Sequence, residues 1–135
     1  MRVLPLRLSP GADLRLALEA WMGQQEEQAG CVINGIGSLS LAHLRLAGQQ
    51  ESTTITGDLE IISLAGTHSP DGAHLHIAIA DNTGAVIGGH LGAGSLVRTT
   101  AELMVGLLVD WQFRRYLDED TGYAELQISP QSPGA

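Results

Sequence analysis

Residues 73–90, AHLHIAIADNTGAVIGGH, constrain the fold more than any other part of the chain. Their first half alternates apolar residues with histidine and alanine, and a period of two is typical of a β-strand with one buried face. Residues 82–84 then fit a three-residue hairpin loop in which Gly84 supplies the left-handed conformation. This loop predicts a β-hairpin in which His76 pairs directly with His90.

The predicted hairpin places His74, His76 and His90 on one face, because side chains two residues apart leave a strand on the same side. Directly opposed residues have Cβ atoms roughly 5 Å apart, so three imidazoles can converge on one ion. Zinc accepts such nitrogen ligands at about 2.0–2.1 Å. A slip of one residue would move His90 to the opposite face and remove the site. The alternative interpretation is three histidines that are only solvated or hydrogen-bonded on a polar sheet face.

A chain of 135 residues suits one compact domain, and one segment of this chain has helical periodicity. Leu14, Leu18 and Met22 recur at the spacing that places them on one face of an α-helix. Asp13 is a suitable N-cap, and Gly30 is a natural stop after the helix. We therefore expect one main helix between Asp13 and Gly30.

Short alternating segments and frequent glycines predict that most of the remaining chain forms strands joined by tight turns. Residues 95–109 also contain a Thr99–Glu102 capping box, but their β-branched residues favour one long buried strand over a helix. Pro5 favours a sheet edge for the first strand. We expect strands at residues 2–8, 31–48, 52–56, 59–65, 73–81, 95–109 and 123–128. These strands belong to one domain of residues 1–128, which is followed by a flexible tail at residues 129–135.

The charge of the chain limits the partners that it can bind. Seven arginines, no lysine and fifteen acidic residues give a net charge of −8, whereas binding to a phosphate backbone needs a clustered positive surface. Only Arg114 and Arg115 are adjacent, so a local arginine patch is the remaining possibility. No apolar run approaches the ~20 residues of a membrane span, and residues 1–16 do not resemble a signal peptide. We therefore expect a cytoplasmic protein without a membrane partner.

No complete catalytic motif accompanies the histidines. Gly35 and Gly37 do not begin a dinucleotide-binding motif, because the third glycine is missing, and no serine stands in a nucleophile elbow. Catalysis at a metal would also need a base or an anion-stabilising group. The weak candidates are Asp81 and Glu102 as bases and Arg98 as a cation.

Residues 57–103 contain several motifs that occur together in one known family. The segment LEIISLAGT is similar to the family's Gly-x-x-Glu-Ile-(Leu/Ile)-Ser-Leu-x-Gly core, and HLHIAIADNTGAVIGGHL followed by VRTTAE is similar to its prokaryotic signature. GIGSL at residues 35–39 and the opening LRLSPGADL also fit, so the likeness covers nearly the whole chain. The chain therefore resembles the PPC domain (plants and prokaryotes conserved), which is also called PCC.

The resemblance implies a single α+β domain, with a largely antiparallel sheet, one main helix packed on it, and a homotrimeric assembly. In land plants this domain follows an AT-hook in nuclear DNA-binding proteins, and stand-alone bacterial members are often assigned to DNA binding by analogy. The Arg-Gly-Arg-Pro core of the AT-hook is absent here, so the resemblance extends to the assembly domain and not to the DNA reader. Prokaryotic members tend to keep the histidines that match His74, His76 and His90, and metal is associated with that cluster.

Two functional hypotheses follow. The first is a trimeric PPC-domain protein that acts as a binding or regulatory module and holds zinc, or another divalent transition metal, on the three histidines. The second is a metal-dependent enzyme of hydrolase or lyase type, which takes a small acidic or polar metabolite between subunits, with Glu102 or Asp81 as base and Arg98 as anion clamp. Direct DNA binding is a third hypothesis, and the net charge of −8 argues against it.

Overall fold

The fold is described by a computed structural model, which covers residues 1–132. Within that range the chain forms one α-helix and eight β-strands, and every pairing between the named strands is antiparallel. The helix is α1 (Leu14–Gly23), and the strands are β1 (Arg2–Leu8), β2 (Gly30–Arg45), β3 (Thr53–Ser69), β4 (Gly72–Ala80), β5 (Val86–Leu91), β6 (Leu96–Leu107), β7 (Trp111–Leu117) and β8 (Ala124–Pro130).

Six strands form one sheet in the order β1-β6-β2-β3-β4-β5, and β7 pairs with β8 in a separate hairpin. The long strand β2 also pairs with β5 at its far end, so that β2, β3, β4 and β5 close into a ring. β1 lies at the edge of the sheet, as Pro5 predicted. The fold is therefore mostly antiparallel β-sheet with a single short helix.

The apolar core lies on the buried faces of these strands, with α1 packed against it. Leu75, Ile77 and Ile79 alternate along β4 and are almost fully buried, which leaves the intervening side chains on the opposite face. Leu14 and Leu18 of α1 are completely buried against the same core. Each fully buried leucine or isoleucine stabilises the fold by roughly 1.5–3 kcal/mol, so this core determines which face of β4 meets solvent.

The helix begins as predicted but ends earlier. The Asp13 side chain accepts a hydrogen bond from the backbone N–H of Leu16, which confirms Asp13 as the N-cap. The predicted stop at Gly30 is wrong, because α1 ends at Gly23 and Gly30 is the first residue of β2. A Cβ at Gly30 would lie 2.1 Å from the Met22 Cε, so this glycine lets the end of α1 pack against the strand.

The two strands predicted at residues 52–56 and 59–65 are one continuous strand, β3. The predicted gap at residues 57–58 contains Gly57, which lies in a β-bulge with φ of +136°. Leu39 of β2 pairs with Leu59, whereas Leu41 pairs with Thr56, so β3 contains one extra residue there. The continuous partner β2 holds both halves of β3 in one strand, which the local sequence did not indicate.

The C-terminal half agrees more closely with expectation. Residues 96–107 form the long strand β6 rather than a helix. β8 extends to Pro130, which pairs with Trp111, so the paired structure continues two residues past the predicted domain end at 128. Residues 133–135 of the predicted tail lie outside the described residues. Among residues 1–132, no helix has the length and apolarity that crossing a membrane would require.

Candidate metal centre

β4 and β5 form the predicted hairpin in the predicted register. His76 pairs directly with His90. Gly84 has φ of +84°, and the backbone N–H of Asp81 donates to the carbonyl of Ala85 at 3.0 Å, so the loop closes at residues 82–84 as expected. The alternation and the loop together confirm that the histidines share one face.

Asp81 stabilises this loop and does not face the histidines. One carboxylate oxygen accepts hydrogen bonds from the backbone N–H groups of Thr83 at 2.9 Å and Ala85 at 3.1 Å. The Thr83 hydroxyl donates to the same oxygen, and these bonds hold the pKa of Asp81 below its usual value. Asp81 lies five positions after His76, a distance of roughly 17 Å along an extended strand. Within one chain, Asp81 is therefore a turn residue.

The three predicted ligands, His74, His76 and His90, lie together on the exposed face of the hairpin. Their ring centroids are 5.0 Å apart for His74–His76, 4.7 Å for His76–His90 and 5.4 Å for His74–His90. One ring nitrogen of each lies within 4.8 Å of the other two. A tetrahedral ion with bonds of about 2.05 Å holds its ligand atoms roughly 3.3 Å apart, a spacing that small side-chain rotations can reach.

Burial and neighbouring positive charges favour the neutral form of two of these imidazoles. Partial burial lowers the pKa of His74, and the positive charge of Arg115 lowers it further. Partial burial likewise lowers the pKa of His90, with a second contribution from Arg45. A neutral imidazole has a free nitrogen lone pair, which is the form that binds a metal ion.

Small residues let β5 approach β4 closely beneath the histidines. A Cβ at Gly88 would lie 2.9 Å from the Ile77 carbonyl oxygen, which is closer than side-chain carbons normally come. Ile77 and Ile79 are anchored in the core on the other side of β4. The backbone that carries the histidines is thus packed against the core on one side, whereas the histidine side chains on the other side are open to solvent.

An open cleft of about 700 Å³ borders the cluster, with His74 and His90 in its wall. Arg15, Arg45 and Arg115 line the same cleft. Arg15 and Arg45 were not singled out from the sequence, because each belongs to a different element and no local pattern links it to the histidines. The adjacent pair Arg114–Arg115 was the one sequence feature that indicated a local cluster of positive charge.

The other two catalytic candidates lie elsewhere in the chain. Glu102 is on β6, where it pairs with Ile36 of β2 and Arg7 of β1. Arg98 forms an ion pair of 3.0 Å with Asp58, at the bulge of β3. Along β2, the partner of Glu102 (Ile36) lies nine residues from the partner of His90 (Arg45), roughly 30 Å. Arg98 follows Val97, whose partner Leu39 lies six residues from Arg45, roughly 20 Å, so one chain does not bring Glu102 or Arg98 to the histidines.

The remaining histidines are outside the cluster, as expected. The Nδ1 of His43 is 2.9 Å from the Thr54 hydroxyl. His68 pairs with Gly30 of β2, and partial burial lowers its pKa although the nearby Glu19 opposes this effect. Neither belongs to the group of ligand atoms described above.

Similarity to known proteins agrees with this architecture. The chain is 48% identical, over 139 aligned positions, to the bifunctional protein GlmU of Synechococcus sp. (strain JA-3-3Ab). That match covers 98% of this chain but 22% of GlmU, so the chain spans about a fifth of that relative's length. The two chains are alike only over that segment.

Two solved structures are similar over almost their whole length. A hypothetical protein from Salmonella enterica is 41% identical, with a TM-score of 0.94 and coverage of 97% of this chain and 95% of that one. A protein from Archaeoglobus fulgidus, described as metal-containing, is 26% identical, with a TM-score of 0.77 and coverage of 94% of each chain. The family model of the Plants and Prokaryotes Conserved (PCC) domain matches residues 1–109. The chain therefore belongs to the PCC domain family.

Proposed function

We propose that this chain is a homotrimeric binding or regulatory module that holds a divalent ion, zinc or a similar transition metal, on His74, His76 and His90. The observation that carries the proposal is the convergence of three imidazole nitrogens within 4.8 Å of one another. Three histidines with a further open position form a ligand set that suits zinc. The lowered pKa values of His74 and His90 favour the neutral, metal-binding form near pH 7. The metal-containing relative from Archaeoglobus fulgidus gives additional support.

Two exposed apolar surfaces support the trimer. The outer patch consists of Val3, Ile36 and Met104, which lie on one face of β1, β2 and β6 with exposed fractions of 44% to 49%. The arm patch consists of Trp111 and Ile128 at one end of the β7–β8 hairpin, where they lie on the same face with exposed fractions of 42% and 59%.

A cyclic trimer joins one surface of each subunit to a different surface of the next. The outer patch and the arm patch meet this requirement, and exposed apolar patches commonly mark interaction sites. Glu102 pairs with Ile36 of the outer patch. We therefore place Glu102 near this proposed interface and not among the metal ligands of its own chain.

Direct DNA binding receives no support from the arginines. Four of the seven, Arg2, Arg15, Arg98 and Arg114, are paired with carboxylates, and the net charge is −8. Backbone binding needs a positive surface that can replace counterions. We therefore propose the assembly role of the family and not its DNA-reading role.

The cleft beside the histidines is the observation that favours the second candidate function, a metal-dependent hydrolase or lyase. A volume of about 700 Å³ is within the range of small-molecule sites. Because Asp81, Glu102 and Arg98 lie away from the cluster in one chain, such an enzyme would have to take its base from a neighbouring subunit or from the cleft itself.

Metal content per chain, measured by mass spectrometry on untagged protein, tests the metal site. We expect about one zinc ion per chain in the wild type and loss of that ion in His76→Ala. His43→Ala is the matched control, because it removes a histidine outside the cluster and should keep the metal. Wild-type protein without metal after incubation with zinc, or a His76→Ala variant that keeps it, would refute the proposal.

Light scattering tests the assembly separately. The wild type should have the mass of three chains, and Ile36→Glu should dissociate because it places a charge in the outer patch. Leu16→Glu changes a side chain of similar exposure, 52% against 49%, on the outside of α1, and it should leave the mass unchanged. A monomeric wild type would contradict the trimer without affecting the metal site.

A further inference from the structure

We propose that the cleft beside the histidines is a binding site for the oxyanion group of a small molecule, a carboxylate or a phosphate, held by Arg45 and Arg115. This inference deepens the proposed metal function, because the anion would lie next to the ion. It assigns an anion-binding role to two arginines that supply no ligand to the metal. Four observations carry it: the position of Arg45, the position of Arg115, the balance of charge in the cleft, and the free N–H donors of both side chains.

Arg45 lies beside the cluster because the ring of strands closes there. It pairs with His90 in the contact between β2 and β5, and His90 pairs in turn with His76 of β4. Side chains of directly paired residues leave a sheet on the same face. Arg45, His90 and His76 therefore lie side by side across three neighbouring strands, so a guanidinium is next to two proposed metal ligands.

Arg115 reaches the other side of the cluster from the separate β7–β8 hairpin. One guanidinium nitrogen donates to the Thr67 hydroxyl at 2.8 Å, and Thr67 pairs directly with His74. The backbone N–H of Arg115 donates to Asp71 at 2.8 Å, which anchors the hairpin against the turn between β3 and β4. Arg45 and Arg115 therefore flank the three histidines from opposite sides.

Asp71, which anchors the β7–β8 hairpin, is a carboxylate beside Arg115, and Arg114 neutralises it. Arg114 donates two hydrogen bonds to Asp71, at 2.9 Å and 3.0 Å, and these bonds hold the pKa of Asp71 below its usual value. A bidentate pair of this kind satisfies both charges. Asp71 thus remains ionised but is already compensated by Arg114, so it does not cancel the charge of Arg115.

The cleft is the place where a strongly acidic chain concentrates positive charge. Three of its seven arginines line the cleft, but only two of its fifteen acidic residues, Asp71 and Glu125, do so. The balance there is three positive minus two negative charges, or +1, against −8 for the whole chain. A divalent ion on the histidines would raise the positive charge further. Concave sites lined with one sign of charge attract ligands of the opposite sign.

Arg45 and Arg115 have donors to spare, whereas Arg15 does not. Arg15 donates to Glu19 and to the carbonyls of Leu91 and Ala73, so it ties α1 to the strands. Among residues 1–132, Arg45 donates only to the Gln49 carbonyl and Arg115 only to Thr67 with its side chain. Each guanidinium has five N–H groups, so several remain for the paired oxygens of an oxyanion.

Nuclear magnetic resonance titration tests the site with inorganic phosphate and with succinate as probes, at constant ionic strength. Spectra of 15N-labelled protein would follow the arginine side chains and the backbone around Gly92, first without metal and then with zinc. We expect saturable shifts in the wild type, and a dissociation constant about tenfold or more higher in Arg45→Gln and in Arg115→Gln. Arg98→Gln is the matched control, because its ion pair with Asp58 lies outside the cleft, and it should bind like the wild type.

The outcomes separate this inference from the metal proposal. Shifts that never saturate, or equal weakening in Arg98→Gln, would overturn the oxyanion site even if one zinc ion per chain is bound. Saturable, arginine-dependent binding in a protein that takes up no zinc would keep the oxyanion site and refute the metal function. Tighter binding of phosphate than of succinate would assign a phosphate ligand, and the reverse order would assign a carboxylate.

Discussion

Arg45 and His90 are direct cross-strand partners where β2 meets β5, so a permanent positive charge lies beside a proposed metal ligand. The pair joins two segments that are far apart in the sequence. It exists because β2 is long enough to pair with β6, β3 and β5 in turn. The guanidinium contributes to the low pKa of His90, after partial burial, and this effect can be measured directly.

Replacing Arg45 should raise the pKa of His90. In metal-free Arg45→Gln, the imidazole loses a neighbouring positive charge, so the pKa should move back toward 6.5 while burial continues to lower it. Titration of the histidine proton resonances would measure the change. Arg115→Gln should have the corresponding effect on His74, and Arg98→Gln should affect neither. An unchanged His90 in Arg45→Gln would refute the electrostatic contact.

The metal-free protein should lose stability as the pH falls below about 6.5. Burial lowers the pKa of His68 from 6.5, so the folded state keeps this imidazole neutral where the unfolded chain binds a proton. The free energy of unfolding should therefore be fully retained above pH 6.5 and should decrease as the pH drops toward the folded pKa. Each such histidine contributes at most about 1.4 kcal/mol per pH unit.

Urea unfolding at pH 7.5 and 5.5 would measure this loss, and His68→Gln should reduce it. His74 and His90 have lowered pKa values as well, so part of the pH dependence should persist in the variant. Identical pH dependence in the wild type and in His68→Gln would contradict the assignment to His68.

Gly66→Ala should destabilise the fold more than Gly57→Ala. Both glycines have positive φ, +156° and +136°, but a Cβ at Gly66 would lie 2.0 Å from the His74 carbonyl oxygen, whereas Gly57 has nothing within 4 Å. We expect a loss of roughly 2–4 kcal/mol for Gly66→Ala and about 1–2 kcal/mol for Gly57→Ala, measured by urea unfolding. Equal losses would mean that backbone conformation alone matters at both positions.

Asp81→Ala should weaken the hairpin without removing the metal. The substitution deletes the acceptor for Thr83 and Ala85, so we expect a loss of about 1 kcal/mol in the free energy of unfolding. The register is also held by the buried face of β4, and zinc content should therefore stay near that of the wild type. Loss of zinc from a folded Asp81→Ala variant would show that the loop, not the core, maintains the cluster.

The sequence predicted some elements well and others poorly, for identifiable reasons. Asp13 as helix cap and residues 96–107 as a strand were correct, because capping chemistry and alternation act over a few residues. The helix stop at Gly30 and the break between residues 56 and 59 were wrong, because pairing and packing with distant elements override the local signal at both places. Gly30 makes room for Met22, and Gly57 lies in a bulge against β2.

The same contrast between local sequence signals and long-range contacts applies to the candidate metal centre. The sequence by itself determined that His74, His76 and His90 share a face, because a period of two and a short glycine loop define a hairpin register locally. Only the tertiary structure placed Arg45 and Arg115 on either side of them. Those positions depend on the closure of β2 onto β5 and on the anchoring of β7 to Asp71, long-range pairings that burial of the shared core stabilises and no local pattern specifies.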